Sequence, residues 1–460
     1  MEWSNYFWKL ILNIIEFLNM AEQSEKSQNQ KITVGLDIGT TKVCAMVASK
    51  DEENEKLNII GIGIAETDGL NRGVVSNIDK TVKSIKAAIE QAQQQSGIEI
   101  KNVVVGIAGD HVNASQTRGI IGISNPTQEV TKKDVERLLE ETKKVAIPSE
   151  RRILHVIPQE FIIDGQDGIY DPVGMSGVRL EAIVQIVTGL ETAIKNIYRC
   201  VERAGLNVQD LILEPLASSN AVLTEEEKEV GVALVDIGGG TTDIAIFEEG
   251  IIRYTSVFAV AGKLLTGDIR KGLGLVHSQA ERIKRDYGHS FLPTINNNDV
   301  FMIPGIGGRK PKELSKEELC GIIQPRMEEI LEFALKDIIE SGYGNNLGAG
   351  IVLTGGTILL RGTEDLASEI FNMPVKIGIP SRITYSGLAP EVENPIYSTS
   401  VGLALHGLNL DMEQGEIRDE AEEDIKTEEN AVDDANEKMQ KKDNKKKSII
   451  EKAKDFIREL

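Results

Sequence analysis

The stretch "VGLDIGTTKVCAMV" gathers Asp37, Gly39, Thr40, Thr41 and Lys42, and "ALVDIGGGTTDIAIF" gathers Asp236, Gly238, Gly239, Gly240, Thr241, Thr242 and Asp243 in a matching order. Glycines in a turn between strands let backbone N–H groups approach an anion, because no Cβ stands in the way and positive φ is allowed. Threonine hydroxyls and the Lys42 ammonium add donors, so two such turns facing each other would cradle a polyphosphate. A polyphosphate usually brings Mg2+, which keeps several waters and needs only one or two carboxylates; Asp37 and Asp236 are placed to hold those waters. One Asp-Ile-Gly alone would mark no more than a tight hairpin. Its repetition, and a third loop "GIVLTGGTILLRG" with Gly355 and Gly356 after a buried strand, favour phosphate binding over hairpins. No Gly-x-x-x-x-Gly-Lys-[Ser/Thr] occurs, which excludes a P-loop.

These loops need strands to hold them. From Lys31 to about Leu410 short β-rich runs ("ITVGLDIG", "KVCAMVAS", "LNIIGIGIA") precede helical stretches such as Lys80 to Gln95, closed by Gly97. Three strands followed by a helix predict a mixed sheet. A second three-strand run starts at "VGVALVDIGGG" after the acidic turn "TEEEKE", and its likeness to the first predicts an internal duplication with Asp37 and Asp236 in corresponding places. Between the two, residues from about His111 to Gly189 hold their own strands ("ILHVIPQEFIID", "RLEAIVQIV") and a helix, "TKKDVERLLEETKKVA", and read as an inserted subdomain.

The chain has 460 residues, 41% of them hydrophobic, and a formal charge of −21, enough for a large core in two to four domains. Cys44, Cys200 and Cys320 form neither a disulfide framework nor a metal cluster, which predicts a reducing, cytosolic compartment. The five histidines lack zinc-ligand spacing, so no metalloenzyme is indicated. No apolar run reaches the length that spans a bilayer, and membrane contact is expected to be peripheral. Two terminal segments suit it. In "KKKSIIEKAKDFIREL", Ile449, Ile450, Ala453, Phe456, Ile457 and Leu460 share one helical face, while Lys447, Lys452, Lys454 and Arg458 point away. At the other end "MEWSNYFWKLILNIIEFLNM" repeats large apolar residues at helical spacing; it lacks a basic n-region and cleavage site, and reads either as an extra membrane or partner helix or as sequence upstream of a start at Met20. Residues 411–440 carry 13 Asp or Glu against 3 Lys or Arg and read as a disordered tether with a reach of roughly 30 Å.

In order and spacing, "LDIGTTK", "VDIGGGTTD" and "VLTGGTILLRG" resemble the two phosphate loops and the adenosine loop of the actin-like ATPase superfamily. "AERIK" resembles its ribose-contacting helix, so the resemblance implies that Glu281 and Lys284 touch the nucleoside. "LEPLASSNAVL" and "YSTSVGLALHG" resemble the two connecting helices, which implies Glu214 near the γ-phosphate, with Glu214 and Asp236 as the residues that would position water or Mg2+ for catalysis. The inserted subdomain, "YDPVGMSGVRLEA", "AERIKRDYG" with "IIQPRMEEIL", and the tethered amphipathic end narrow the likeness to the FtsA family of actin-like bacterial cell-division proteins. Two features depart from that pattern: the segment 1–19, and Lys263 to Leu265 in place of a more usual polar stretch.

The resemblance implies an α/β, two-lobed actin-like ATPase fold with duplicated ribonuclease H-like subdomains, an inserted FtsA-type subdomain, a disordered tether and a C-terminal amphipathic helix. Its boundaries in this chain would be an N-terminal extension (1–30); subdomain 1A over 31–102, 188–228 and 383–410; the inserted 1C over 103–187; 2A over 229–262 and 351–382; 2B over 263–350; the tether over 411–444; and a membrane-targeting helix over 445–460. The implied function is ATP binding with Mg2+, homopolymerisation, binding of the FtsZ C-terminal tail, and anchorage of the division ring to anionic lipids on the cytoplasmic face of the cell membrane at the septum. Other division proteins, but no nucleic acid, are expected partners. Basic groups suit an acidic tail, and Arg282, Arg285, Arg309 and Lys310 fall in the subdomain that would bind it. Hydrolysis of ATP would be slow at most, without metabolic enzyme activity. The alternatives are a pilus-assembly PilM-like protein, a sugar or acetate kinase on the same fold, and a chaperone ATPase, the last lacking any β-rich peptide-binding domain after Leu410.

Overall fold

The computed structural model describes residues 31–50, 57–124, 127–144, 147–295, 299–303, 305, 310–381, 383 and 388–410. The segments 1–19, 411–444 and 445–460, and Arg309, lie outside them. The chain divides into two units after Gly407, and both sheets and the cleft belong to the first.

The first sheet is built from β1 (Ile32–Ile38), β2 (Lys42–Lys50) and β3 (Leu57–Glu66), followed by a small hairpin of β4 (Leu70–Asn71) and β5 (Val74–Val75), helix α1 (Ile78–Ser96) and β6 (Asn102–Ile107). Strand β2 is buried along seven consecutive residues, the mark of a strand covered on both faces. Helix α1 begins at an Asn77 cap and ends at Gly97 in the left-handed region, φ 72°. The chain then leaves for an antiparallel sheet: β7 (Asn113–Gly122), α2 (Lys132–Lys143), β8 (Arg151–Ile163), β9 (Gln166–Ile169) and β10 (Arg179–Leu190), in the order β7-β10-β8-β9. Its core gathers Leu138 of α2 with Leu180, Val184 and Ile186 of β10. The chain returns through α3 (Glu191–Arg203) and β11 (Asn207–Leu213), completing a mixed sheet ordered β11-β6-β1-β2-β3.

Helix α4 (Glu214–Val222) leads to α5 (Glu225–Val230), where the sequence reading placed an acidic turn. The segment is helical because Thr224 and Glu227 form a reciprocal capping box and three glutamates sit in the first turn, where the helix dipole favours them. Strands β12 (Val232–Ile237), β13 (Thr242–Glu248) and β14 (Ile251–Phe258) open the second lobe. Helices α6 (Gly262–Leu273) and α7 (His277–Tyr287), the hairpin β15 (Val300–Ile303) and β16 (Lys312–Ser315), and the long α8 (Lys316–Glu340) come next, then β17 (Ile351–Thr354), α9 (Thr363–Phe371) and β18 (Val375–Ile377). The second sheet runs β14-β13-β12-β17-β18. It copies the first. In each, an antiparallel pair (β1–β2, β12–β13) joined by a glycine turn lies beside a parallel neighbour (β6, β17), and Asp37 and Asp236 sit opposite Cys44 and Asp243.

A helix over 398–410, here α10, packs its first turns against α4 with unusually little space. A Cβ on Gly402 would fall 1.8 Å from the Ala217 carbonyl oxygen. Val104, Ile212, Ala217 and Leu403 close a small core around this crossing. Gly402→Ala is therefore expected to cost about 3 kcal/mol in urea denaturation through overpacking, whereas Gly267→Ala on α6, where a Cβ meets nothing within 4 Å, should be neutral or stabilising. Equal stability of the two variants would contradict the close crossing.

Candidate nucleotide cleft

The two glycine turns face each other. A Cβ on Gly240 would fall 2.2 Å from Thr40 Oγ1, and one on Gly239 2.5 Å from Thr41 Cγ2, so only glycine allows this approach between the lobes. The third loop joins them: Thr357 Oγ1 donates to the Gly238 carbonyl at 2.7 Å, and Gly262 N donates to the same oxygen at 3.2 Å. Gly355, at φ 91°, lies where a Cβ would come within 2.3 Å of Asp236 Oδ1, and Gly356 is exposed beside it. Glu281 and Lys284 reach the same place from α7. Lys284 Nζ donates to the Gly262 carbonyl at 3.3 Å and to Thr266 Oγ1 at 2.9 Å, and pairs with Glu281 at 2.9 Å. Burial opposes ionisation of Glu281, but the Lys284 ammonium and the Thr266 hydroxyl hold its carboxyl below the ordinary range.

Beneath the loops lies a group of carboxylates. Asp37, Asp236 and Asp243 are buried and Glu214 is half-buried. Lys42 Nζ donates to Asp37 Oδ2 at 3.0 Å and stands 5.8 Å from the centre of the Tyr397 ring. Although burial works against its charge, Asp37 keeps Lys42 protonated well above the usual lysine range. The other carboxyls are pushed the opposite way. Burial raises Asp236 to about 6, even though Ser218 donates to its Oδ2 at 2.7 Å. Burial, then repulsion from Asp236, raises Asp243; burial, then Asp37, Asp243 and Asp236, raises Glu214. Asp243 Oδ1 is buried without a hydrogen-bond partner, while its Oδ2 accepts from Thr241 at 3.3 Å. One ammonium among four carboxyls leaves a cluster suited to a cation.

Sequence reading missed the hydroxyls that orient these acids. Ser218 on α4 and Thr399 on α10 both donate to Asp236 Oδ2, and Ser400 donates to Asp37 Oδ2 at 3.5 Å. Their only trace in the sequence is the run of small hydroxylated residues in "LASSNAV" and "YSTSVG". It also missed Lys263, which stands out in the sequence only as a departure from the family pattern. Lys263 N donates to the Gly239 carbonyl at 2.8 Å and Nζ crosses to the Thr40 carbonyl at 3.0 Å, tying the second turn to the first. Arg282 and Arg285 are exposed on α7, away from this convergence; Arg282 lies 3.8 Å from Asp286, too exposed to add much stability.

Because folding raises the Asp236 carboxyl from 3.8 to about 6, its contribution favours the folded state at acid pH and is lost as pH climbs through 6. Asp236→Asn, which can still accept from Ser218, should then stabilise the free protein at neutral pH by on the order of 2 kcal/mol, with little gain below pH 3.8 and a gain that grows as pH rises from there to about 6. Loss of stability at neutral pH, read by thermal unfolding, would contradict the repulsive cluster.

A family model described as "Cell division protein FtsA" matches residues 233–402, and one described as "SHS2 domain inserted in FTSA" matches residues 109–188, the strands and helix that interrupt the first lobe. The cell division protein FtsA of Pseudomonas aeruginosa is 47% identical over 381 residues, 83% of this chain and 90% of that protein. The FtsA of Escherichia coli K12 is 40% identical over 389 residues, 83% of this chain and 91% of that one. A chain of a solved PilM-PilN type IV pilus biogenesis complex shares the fold with a TM-score of 0.59 at 17% identity, covering 82% of this chain and 98% of that one. The duplicated lobes are the actin-like arrangement, and with such relatives matched over most of their length the chain belongs to the FtsA family of cell-division proteins.

Proposed function

We propose that this division protein binds ATP with Mg2+ between its lobes and uses the bound nucleotide to favour a polymer-competent state. The observation that carries the reading is the meeting of two glycine-threonine turns above a buried, under-neutralised carboxyl cluster. Gly39, Thr40, Thr41 and Lys42 would hold the phosphates from one side, Gly238 to Thr242 from the other, and Gly355, Gly356, Glu281 and Lys284 the nucleoside. The residues also suit Mg2+. Asp243 Oδ1 lacks a hydrogen-bond partner, and since Mg2+ keeps several waters and needs only one or two carboxylates, Asp37 and Asp236 would hold it through those waters. Such an ion, when bound, neutralises the phosphates and polarises the γ-phosphorus. Asp236 and Glu214, whose carboxyl is raised by burial and then by its carboxylate neighbours, would orient the attacking water, with slow hydrolysis at most.

The division role extends, in this reading, to three contacts. Chains assemble into a homopolymer, exposed Arg282 and Arg285 bind the acidic C-terminal tail of FtsZ, and residues 445–460 bind anionic lipid on the cytoplasmic face of the membrane at the septum. No helix among the described residues is long and apolar enough to cross a membrane. Each Lys or Arg near an anionic leaflet contributes roughly 1 kcal/mol, so one copy of the terminal helix is a weak anchor and a polymer of them a strong one.

Sedimentation of the full chain should increase severalfold with Mg-ATP over ADP or no nucleotide, and indifference to nucleotide would overturn the switching role. Phe456→Glu or Ile450→Glu should reduce co-sedimentation with anionic liposomes about tenfold while leaving ATP binding intact. Undiminished binding would move the anchor to the segment 1–19.

A further inference from the structure

The inserted sheet is attached to both lobes, and on the first it also meets β11, where Leu213 N donates to His155 Nε2 of β8 at 3.0 Å. Its covalent attachment is to the first lobe, through the two connections that flank β7 and β10. Arg151 at the start of β8 clamps both: it donates to the His111 carbonyl at 2.7 Å, the Thr188 carbonyl at 3.0 Å and Thr188 Oγ1 at 2.9 Å. The second attachment is non-covalent and lies against β14, the edge strand of the second lobe's sheet. Gln159 of β8 donates through Nε2 to the Ile252 carbonyl at 2.8 Å, and Arg253 returns a bond from NH1 to the Gln159 carbonyl at 3.2 Å. Arg253 also pairs with Glu249 at 2.7 Å, Glu249 accepts from the Tyr170 hydroxyl at 2.5 Å, and the guanidinium stands 5.9 Å from the Tyr170 ring centre.

These bonds are unequal. Gln159 and the Arg253 side chain are buried, 4% and 12% exposed, whereas the Glu249 side chain is 57% exposed and Tyr170 49%. The Gln159–Ile252–Arg253 exchange therefore holds the contact and the Tyr170–Glu249 bond is its rim. The contact is also incomplete, since Gln159 Oε1 and Arg253 Nε are buried without hydrogen-bond partners, Arg253 Nε facing Glu248 at 3.9 Å. A contact made of a few directional bonds and left partly unsatisfied can re-form in a second register at small cost, unlike a packed apolar interface.

The strand pair that carries this contact also carries the second glycine turn. Strand β13 starts at Thr242 in the cleft and runs seven residues, about 20 Å, to a two-residue turn at Glu249 and Gly250. Both turn residues have positive φ, 55° and 76°, the tight form whose twist matches that of the paired strands, which run on as one ribbon with a register shift between Ile246 and Phe247. Ladder pairs run along it from Asp243–Val257 to Glu248–Ile251.

We propose that the β13–β14 hairpin is a connecting rod and Arg253 its coupling, so that movement of the second glycine turn swings the inserted sheet about the Arg151 clamp. A change at the phosphates would thereby reorient a surface on the other side of the molecule. The part of this proposal that concerns nucleotide rests on the ATP reading; the brace itself does not.

Spin labels on cysteines replacing exposed Lys86 (first lobe), Lys133 (inserted sheet) and Lys271 (second lobe) test it in the full chain, since Cys44, Cys200 and Cys320 are buried. Double electron–electron resonance should give a narrow Lys133–Lys271 distance with and without Mg-ATP, and a Lys133–Lys86 distance that shifts on adding it. Arg253→Ala should widen the first distribution about twofold and abolish the shift in the second, with ATP affinity unchanged. Tyr170→Phe, which removes only the rim hydroxyl, should give the same changes in smaller measure and serves if Arg253→Ala does not fold. Distributions unchanged in both variants would overturn the brace. Measured ATP binding without a Lys133–Lys86 shift in the parent would overturn the coupling alone. Absence of ATP binding would defeat the ATP reading, and the widths without nucleotide would still decide the brace.

Discussion

Three aspartates and a glutamate crowd beneath two glycine turns, with Lys42 the ammonium bonded among them, and that unresolved repulsion is what the rest of the structure is arranged around. Such a cluster costs stability in the free protein. The lobes tolerate it in part by giving Asp236 and Asp37 hydroxyl donors (Ser218 and Thr399 on Asp236, Ser400 on Asp37) and by holding the donors on two helices that cross with no side chain between them at Gly402. Val104, Ile212, Ala217 and Leu403 pack around that crossing, which sets where the hydroxyl donors stand beneath the turns. In the proposed reading, a cation bound at this one place would offset both the carboxyl repulsion and the charge of the polyphosphate, and so would couple ligand to shape.

The duplicated Asp-Ile-Gly motif was legible because both copies are local: aspartate, turn and returning strand lie within about ten residues, and strand periodicity alone positions them. The mixed sheet, the inserted subdomain and helix α1 with its Gly97 stop were readable for the same reason. What pairs with the aspartates was not. Ser400 meets Asp37 across 363 positions of sequence and Thr399 meets Ser218 across 181, and no local pattern encodes such a meeting. Lys263 drew notice as an oddity of composition, while its reach to Thr40, 223 residues away, is a property of the folded lobes. "TEEEKE" was misread since charge density suggested a turn, although Thr224 and Glu227 already spelled a helix start.

Each lobe has its own apolar core, one around β12, β17 and α8 and another around β1, β2 and α1. Between them lie the glycine turns, the Lys263 crossing, the Gln159–Arg253 exchange, the bonds from Ser218 and Thr399 to Asp236, and an apolar contact where Val222 packs at Gly378. The polar contacts among these can exchange partners without unpacking a core.

The central claim is that a Mg2+-bearing nucleotide settles over the carboxyl cluster. Its most direct test is calorimetric titration of Mg-ATP into the full chain near pH 6, where Asp236 is about half protonated, in buffers of different ionisation enthalpy. A cation lying nearer the raised carboxyls than the phosphates do lowers them, so binding in this arrangement should release protons to the buffer, and Asp236→Asn should diminish that release. Binding with no proton release, or no binding at all, would contradict the account.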